Sequence, residues 1–520
     1  MKKLFAFVAL AGIPTIVSAQ CDTTYINENK TITADEILSG VYYIDGNFTI
    51  NTDITVFVAP YNSGSCGKLE IHAKKITIKG NINGDYAGYP GGNGGNGGNS
   101  VNSVTGDQNA LTSCSNKDNA GRVEVEGGKN GTPGIGTGGG LSGLSGTNGS
   151  GPKQVCGSSA DTYGMIAGSG GAGGGGGASY GGNGTSGTAG GNGSLVYNAT
   201  GVPVSTQYLI SNGTGGDGGA KGQPYGTQYE PDIDLGSGGA GAGGGGRSYE
   251  IGMNGLRGGD GGGLIILKAT QELLVSGDIS VNGEDGKNGG QAGSGGASSK
   301  CCSDLCDDCG EATFSTGAGA GSGSGAGSGG GILLESGNSA SVTGLLSAQG
   351  GKGGGSGTPG SGITCNYSAT FCGSQSVSTG NGGTGGIGGD GSGGRIKLFI
   401  GVCSQTSTEP VTHLSGGGTA EAGTYAKICN SHLTVNAVEN VQFSIYPNPV
   451  EDIMTIAFIN AGIVSEGFLS ISNTLGQQLL SREIQGEDQI HMNLSDFQAG
   501  IYLLNIELNG QASSVKIIKK

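Results

Sequence analysis

This chain of 520 residues has no tryptophan, and aromatic residues make up only 5% of it and charged residues 12%. So little side-chain bulk argues against a conventional close-packed core across its middle. Proline is scarce too: 12 residues against 118 glycines, without a strict G-X-Y repeat, exclude collagen. Basic residues are outnumbered, 25 Lys and Arg against 40 Asp and Glu, for a formal charge of −15. The basic arrays that neutralise phosphate are missing, which excludes nucleic-acid binding. Only four histidines exist, His72, His413, His432 and His491, and none lies in a nucleophile motif. No apolar run is long enough to span a membrane.

What is present begins with a leader. Met1-Lys2-Lys3 is a short basic start, Leu4 to Val17 is apolar, and Val17-Ser18-Ala19 is a small-residue cleavage site. Cleavage between Ala19 and Gln20 is expected, and loss of the two lysines takes the charge from −15 to −17. Lipidation at Cys21 is the competing reading, but it wants a small residue where Gln20 stands. All 12 cysteines follow the leader: Cys21, Cys66, Cys114, Cys156, Cys301, Cys302, Cys306, Cys309, Cys365, Cys372, Cys403 and Cys429. An even number in an oxidising compartment favours disulfides. Sequence does not assign the pairs; short loops suggest Cys365–Cys372 and Cys403–Cys429. The cluster Cys301, Cys302, Cys306, Cys309 lacks the second spaced pair of a zinc site and is read as a staple. No thioredoxin-like pattern surrounds its Cys-x-x-Cys.

The other end carries a distinct pattern. Tyr446-Pro447-Asn448-Pro449 opens it, Asn473-Thr474-Leu475-Gly476 marks a middle turn, and Ala499-Gly500-Ile501-Tyr502 starts a late strand. Lys516-Ile517-Ile518-Lys519-Lys520 closes the chain. Residues 441–520 thus resemble the type A C-terminal sorting domain of the type IX (Por) secretion system. The resemblance implies a small antiparallel β-sandwich, with Tyr446, Pro447, Asn448, Pro449, Gly476, Gly500, Tyr502, Lys516, Lys519 and Lys520 carrying the sorting signal. It implies passage through the periplasm to the outside or the outer cell surface. The partners it implies are the secretion machinery and, once the domain is cleaved, surface lipopolysaccharide. The residues themselves agree on fold: Ile453, Thr455, Ala457 and Ile459 alternate as in a half-buried strand, and so do Leu469 and Ile471, then Ile501 and Leu503.

Between the ends one unit recurs: a strand pair, a small residue, then a glycine run. It starts at Gly67, Gly261, Gly329 and Gly393. Such internal similarity marks a stacked architecture. Ile71, Ile76, Ile78 and Ile82, with Leu264, Ile266, Leu274 and Ile279, suit the bore of a parallel β-helix or solenoid. Runs such as Gly91–Asn99 repeat every three residues, the period of polyproline II. Bare glycines let such helices lie side by side. A flexible Gly/Ser linker is the competing reading, since glycine is costly to order.

The expected fold is therefore all-β, a glycine-rich parallel solenoid with polyproline-II-like excursions and a C-terminal β-sandwich. Boundaries fall at 1–19 (leader), 20–88 (first rungs), 89–260 (glycine-rich), 261–400 (strands plus glycine), 401–440 (linker) and 441–520 (sorting).

Catalytic signals are weak. Glu230, Asp232, Asp234, Arg247 and Arg257 are the charged groups that a polysaccharide lyase or hydrolase on a β-helix would use, but their spacing carries no signature and solvated loop charges are the plainer reading. Gly385–Ser392 approaches a calcium-binding nonapeptide, with Ser392 where an apolar residue belongs. No cofactor is expected. The function expected is structural or adhesive, toward extracellular polysaccharide or matrix, rather than enzymatic.

Overall fold

A computed structural model describes residues 21–62, 64–98, 101–103, 123–125, 128–147, 169–194, 213–246, 252–294, 317–362, 364–369, 373–378, 380–401, 409–429, 442–459, 467–473, 477–484, 489–508 and 511–520. Among them there is no helix. The chain divides into two compact units, Met1–Asn430 and Ser431–Lys520.

The first unit joins a solenoid to a glycine bundle. In the solenoid, strands Thr23–Ile26, Gly40–Ile44, Lys68–Ile78, Leu264–Val275, Gly331–Ser336, Arg395–Ile400 and Thr424–Cys429 pair in parallel in that order. A second parallel sheet stacks Glu36–Leu38, Thr55–Val58, Asn81–Asn83, Ile279–Ser280, Leu346–Ser347 and Thr412–His413. Between the sheets lies a continuous core of Ile, Leu and Val, among them Ile71, Ile76, Ile78, Ile82, Ile265, Leu267 and Leu334. Chain segments nearly 200 residues apart thus pack as neighbours. The described residues of the intervals 20–88, 89–260 and 261–400 form layers of one unit, and 409–429 supplies its last rung rather than a linker.

The bore positions read from the sequence need one correction. Ile71, Ile76, Ile78, Ile82 and Ile279 point inward. Leu264 and Ile266 face the opposite side of the sheet, in a separate cluster with Leu235, Leu333 and Phe399. Leu274 is 37% exposed, and Leu273 and Val275 fill the core in its place. The cause is a strand apolar on both faces, Leu264-Ile265-Ile266-Leu267, whose parity cannot be read from alternation. A register shift between Ala269 and Glu272 adds to it.

Where the strands end, the chain runs on as extended glycine rods. Segment 169–179 shows their geometry. Gly170, Gly173, Gly176 and Ser179 donate N–H to the carbonyls of Thr147, Leu144, Leu141 and Gly138 at 2.8–3.0 Å. Gly171, Gly174 and Gly177 donate to Gly191, Thr188 and Thr185, and Ala172, Gly175 and Ala178 donate to Ala320, Gly323 and Ala326. Successive residues address three different neighbours and the pattern repeats every third residue. That is the threefold screw of polyproline II, held here by bonds between rods. The same segment accepts from Gly216, Ala240 and Gly386, so six rods surround it.

The rods pack hexagonally. Three inner rods, 169–179, 236–246 and 317–330, bond to one another through Ala172 to Ala320, Ala240 to Gly176 and Gly325 to Ala240. They are buried throughout and contain only Gly, Ala and Ser. Nine outer rods enclose them: 88–98, 128–134, 138–147, 213–222, 184–193, 381–393, 349–360, 282–293 and 252–262, each bonded to the next and the last to the first. Close approach dictates the composition. A Cβ at Gly173 would lie 1.9 Å from the Asp217 carbonyl oxygen, and one at Gly174 1.9 Å from that of Ile387. The linker reading of these runs is thereby replaced: glycine is required because another backbone fills the space.

The second unit is antiparallel, with one sheet of Gln442–Tyr446, Ile453–Ile459 and Gln489–Asn493, and another of Gln478–Ile484, Gly467–Asn473, Gly500–Leu508 and Gln511–Lys519. Its core holds Met454, Ile456, Leu469, Ile471, Tyr502, Leu504 and Ile506. Leu469 and Ile471 are inward as expected. Ile453, Ile501 and Leu503 instead face solvent, at 58%, 49% and 41% exposure. The alternation was present, but the buried partners are the intervening Met454, Tyr502 and Leu504.

Candidate binding faces and the sorting module

The outer rods follow a rule visible once the packing is known. Every third residue turns inward and, Ala292 apart, is glycine; Gly140, Gly143 and Gly146 abut the carbonyls of Gly176, Gly173 and Gly170 at 1.9–2.2 Å from a notional Cβ. The residues between turn outward, and short polar ones cap backbone N–H groups of the adjoining rod. Thr185 Oγ1 and Thr188 Oγ1 accept from Asp390 and Ile387, both at 2.7 Å. Asn254 Oδ1 accepts from Gly97 at 2.8 Å, and Asn192 Oδ1 from Gly215 at 2.9 Å. Between the repeats the caps keep one offset: Gln349, Lys352 and Gly355 donate to Asn282, Asp285 and Asn288, each 67 residues earlier. Asn and Thr in the G-G-x runs thus satisfy donors that a bundle surface would otherwise leave open.

Sequence reasoning missed a clamp at the base of the bundle. Residues 223–235 form a strap across the outer face of the large sheet. Lys397, 1% exposed, donates from Nζ to the carbonyl oxygens of Glu230 and Asp232 and, at 3.0 Å, to Asp232 Oδ1. Arg395 donates to the carbonyls of Tyr225, Gly226 and Tyr180, and lies 5.5 Å over the Tyr180 ring. Burial pulls the Lys397 ammonium below its ordinary range, opposed by the Asp232 carboxylate. Burial drives the Asp234 carboxyl upward. The one available signal was two cations inside the otherwise apolar strand Arg395–Ile400.

The charged groups singled out for catalysis do not converge. Glu230, Asp232 and Asp234 belong to the strap. Arg257 sits on rod 252–262 and pairs with Asp260, and Arg247 lies outside the described residues. Asp390, from the nonapeptide-like run, spends its oxygens on N–H donors of Gly353 and Thr419, both at 2.9 Å. Among the described residues no cluster of three or more His, Cys, Asp or Glu is placed to hold a metal.

The disulfide Cys21–Cys66 ties the first strand to the start of Lys68–Ile78. Cys429 is also disulfide-bonded. Cys114, Cys156, Cys301, Cys302, Cys306, Cys309, Cys372 and Cys403 lie outside the described residues, as do Ala19, Gln20, His432 and Gly476; of Cys365 only the backbone, in Thr364–Ala369, is described.

In the C-terminal unit the opening and closing motifs meet. Asn448 Nδ2 donates to the Lys516 carbonyl and its Oδ1 accepts from Ile518 N–H, both at 2.9 Å. Val450 donates to Ile518, and Lys520 to Val450. Tyr446-Pro447-Asn448-Pro449 is therefore fastened along the last strand, which explains why the two motifs occur together. Tyr502 is buried edge-on to Phe497 and donates to the Gln498 carbonyl at 2.7 Å. Gly500 starts that strand with nothing closer than 3.9 Å to its missing Cβ. Residues 444–520 match the family described as Secretion system C-terminal sorting domain. This unit is a type IX secretion sorting domain. The sorting domain makes the type IX machinery a partner, and places the chain outside the cell, secreted or attached to the outer surface. No curated protein matches the chain, so the cargo ahead of the sorting domain is read from its own geometry.

Proposed function

We propose that the exported cargo is a structural or adhesive protein of the cell surface or extracellular space, with the glycine bundle as its rigid working part. The observation that carries this reading is the bundle itself. Its rods bond backbone to backbone throughout, and its outer side chains are spent on caps and ordered faces rather than gathered into a cleft. The scattered acidic and basic groups of the strap and rods offer no acid–base pair, which weighs against a carbohydrate-active enzyme. Extracellular polysaccharide or matrix is the partner class, and lipopolysaccharide is the anchor if the sorting domain is removed on export.

The test uses a host lacking the chain. Its attachment to polysaccharide-coated and matrix-coated surfaces should fall while growth is unchanged. The native gene should restore attachment; a Gly94→Val, Gly95→Val form should not, because each added Cβ would lie 2.0 Å from a carbonyl oxygen, of Gly255 and Lys129 respectively. Unchanged attachment on deletion, or release of cleaved sugar products by the purified chain, would reject the reading.

A further inference from the structure

We propose that the flat faces of the glycine bundle dock a neutral linear polysaccharide, with an outward aliphatic row on the central rod of each face as the contact strip. This rests on the adhesive reading and names its ligand class.

The packing fixes where the faces are. Around a triangle of three inner rods, nine outer rods form three straight rows of three. The rows are 128–134 with 138–147 and 213–222; 88–98 with 252–262 and 282–293; and 184–193 with 381–393 and 349–360. In each row the middle rod bonds to two inner rods: 138–147 to 236–246 and 169–179, 252–262 to 236–246 and 317–330, and 381–393 to 169–179 and 317–330. Apart from Ile135 (52%), which ends flanking rod 128–134, the large exposed aliphatic side chains carried by rods lie, among the described residues, on these middle rods. They are Leu141 (51%) and Leu144 (54%), Met253 (61%) and Leu256 (55%), and Ile387 (53%). The flanking rods turn out Asn93 and Asn96, Thr214 and Asp217, or Thr185 and Thr188. Two faces thus carry a pair of aliphatic side chains and the third a single one, each bordered by amides and hydroxyls with a few charged groups such as Asp217, Asp285 and Lys352.

The spacing favours a polymer. Leu141 and Leu144, like Met253 and Leu256, are three residues apart, about 9 Å along a polyproline II rod. A row of identical steps suits a ligand that also repeats, whereas a globular partner presents an irregular surface. The size argues the same way. A face about 28 Å long and three thin rods wide offers on the order of a few hundred Å2. A stable protein interface needs about 800 Å2 per partner. Copies of an acidic chain of charge −15 also repel one another. Charge disfavours anionic polymers: the chain is net acidic at −15, and basic side chains on the faces stand among acidic ones, as in Arg257 with Asp260 and Lys287 with Glu284. A neutral sugar chain, with C–H surfaces for the aliphatic row and hydroxyls for the flanking amides, fits what remains.

The probe is the purified mature chain in depletion assays on cellulose, chitin and, as an anionic control, alginate gel. Retention on at least one neutral polymer is expected, with none on alginate. Leu141→Ser with Leu144→Ser should weaken binding about tenfold, the loss of partial burial of two leucines. Adding Met253→Ser, Leu256→Ser and Ile387→Ser should abolish it, with an unchanged melting temperature because all five side chains are exposed. Binding by the five-site variant equal to the native chain, retention on alginate alone, or no retention on either neutral polymer would each overturn the proposal. Cells carrying the five-site variant separate the two readings. If they attach as native cells do, the faces are wrong and the adhesive role stands. If deletion of the whole chain leaves attachment intact, the adhesive role itself falls.

Discussion

The solenoid and the glycine bundle are built from the same repeats and solve the same problem in opposite ways. Both leave extended backbone that must pair with something. The solenoid pairs each strand with the same strand of the next rung and pays for order with apolar side chains: Ile265, Leu267, Ile332 and Leu334 are fully buried between its sheets. The bundle has almost no side chains to bury. It surrounds each inner rod with six others and turns successive N–H groups in three different directions. Each such bond contributes on the order of 1 kcal/mol net, against a high ordering cost for glycine. The bundle therefore holds only as a whole, with the solenoid fixing the ends of its rods.

That difference can be broken directly. Gly173→Val should be the most damaging single change, since its Cβ would sit 1.9 Å from a backbone carbonyl that cannot move alone. A loss of more than about 4 kcal/mol is expected, seen as bundle unfolding in denaturant melts. Ile265→Ala, deep in the solenoid core, should cost about 2–5 kcal/mol and leave a cavity rather than a clash. Equal costs, or a silent Gly173→Val, would mean that the rods are not packed as described.

A smaller effect should come from the caps. Asn288→Ala removes the acceptor for Gly355 N–H and should cost about 1 kcal/mol, local to the two rods, detectable as faster amide exchange at Gly355. No change in exchange there would show that solvent serves the donor equally well.

The smallest effect separates the regions by pH. The His72 hydrogen bond, aided by Lys68 and opposed by burial, holds Glu70 down to about 2 against an ordinary value of 4.5. A carboxylate depressed in the folded state stabilises above its unfolded pKa, and the contribution is lost as pH falls from about 4.5 toward 2. On this partly solvated strand face it should be on the order of 1 kcal/mol. Glu70→Gln should flatten solenoid stability over that window and leave bundle exchange rates unaltered.

Much of this organisation was legible in the residues. The Tyr446–Pro449 and Lys516–Lys520 motifs gave the sorting domain, and the three-residue glycine period gave the rods. Pure Gly/Ala/Ser runs such as 317–330 could have been read as interior, and G-x-y runs such as 138–147 as surface, because only an outer rod has room for two side chains in three. What stayed hidden depended on partners distant in sequence. Parity in Leu264–Leu267 was lost because the strap, through Leu235, buries the second face of that strand. The rung at 409–429 looked like a linker because Thr412–His413 and Thr424–Cys429 are short and become strands only against earlier rungs. Lys397 reads as an error in a buried strand until carbonyls from residues 230 and 232 arrive to meet it.

The direction of the inter-rod bonds has a mechanical consequence. They run across the rods, so a pull along a rod loads its whole set in shear, all at once, and none can open ahead of the rest. Rod 169–179 alone donates ten such bonds, from Gly170 through Ser179. The bundle, pulled along its rods, would resist as a block and then yield abruptly, whereas force applied sideways would peel the same bonds one after another.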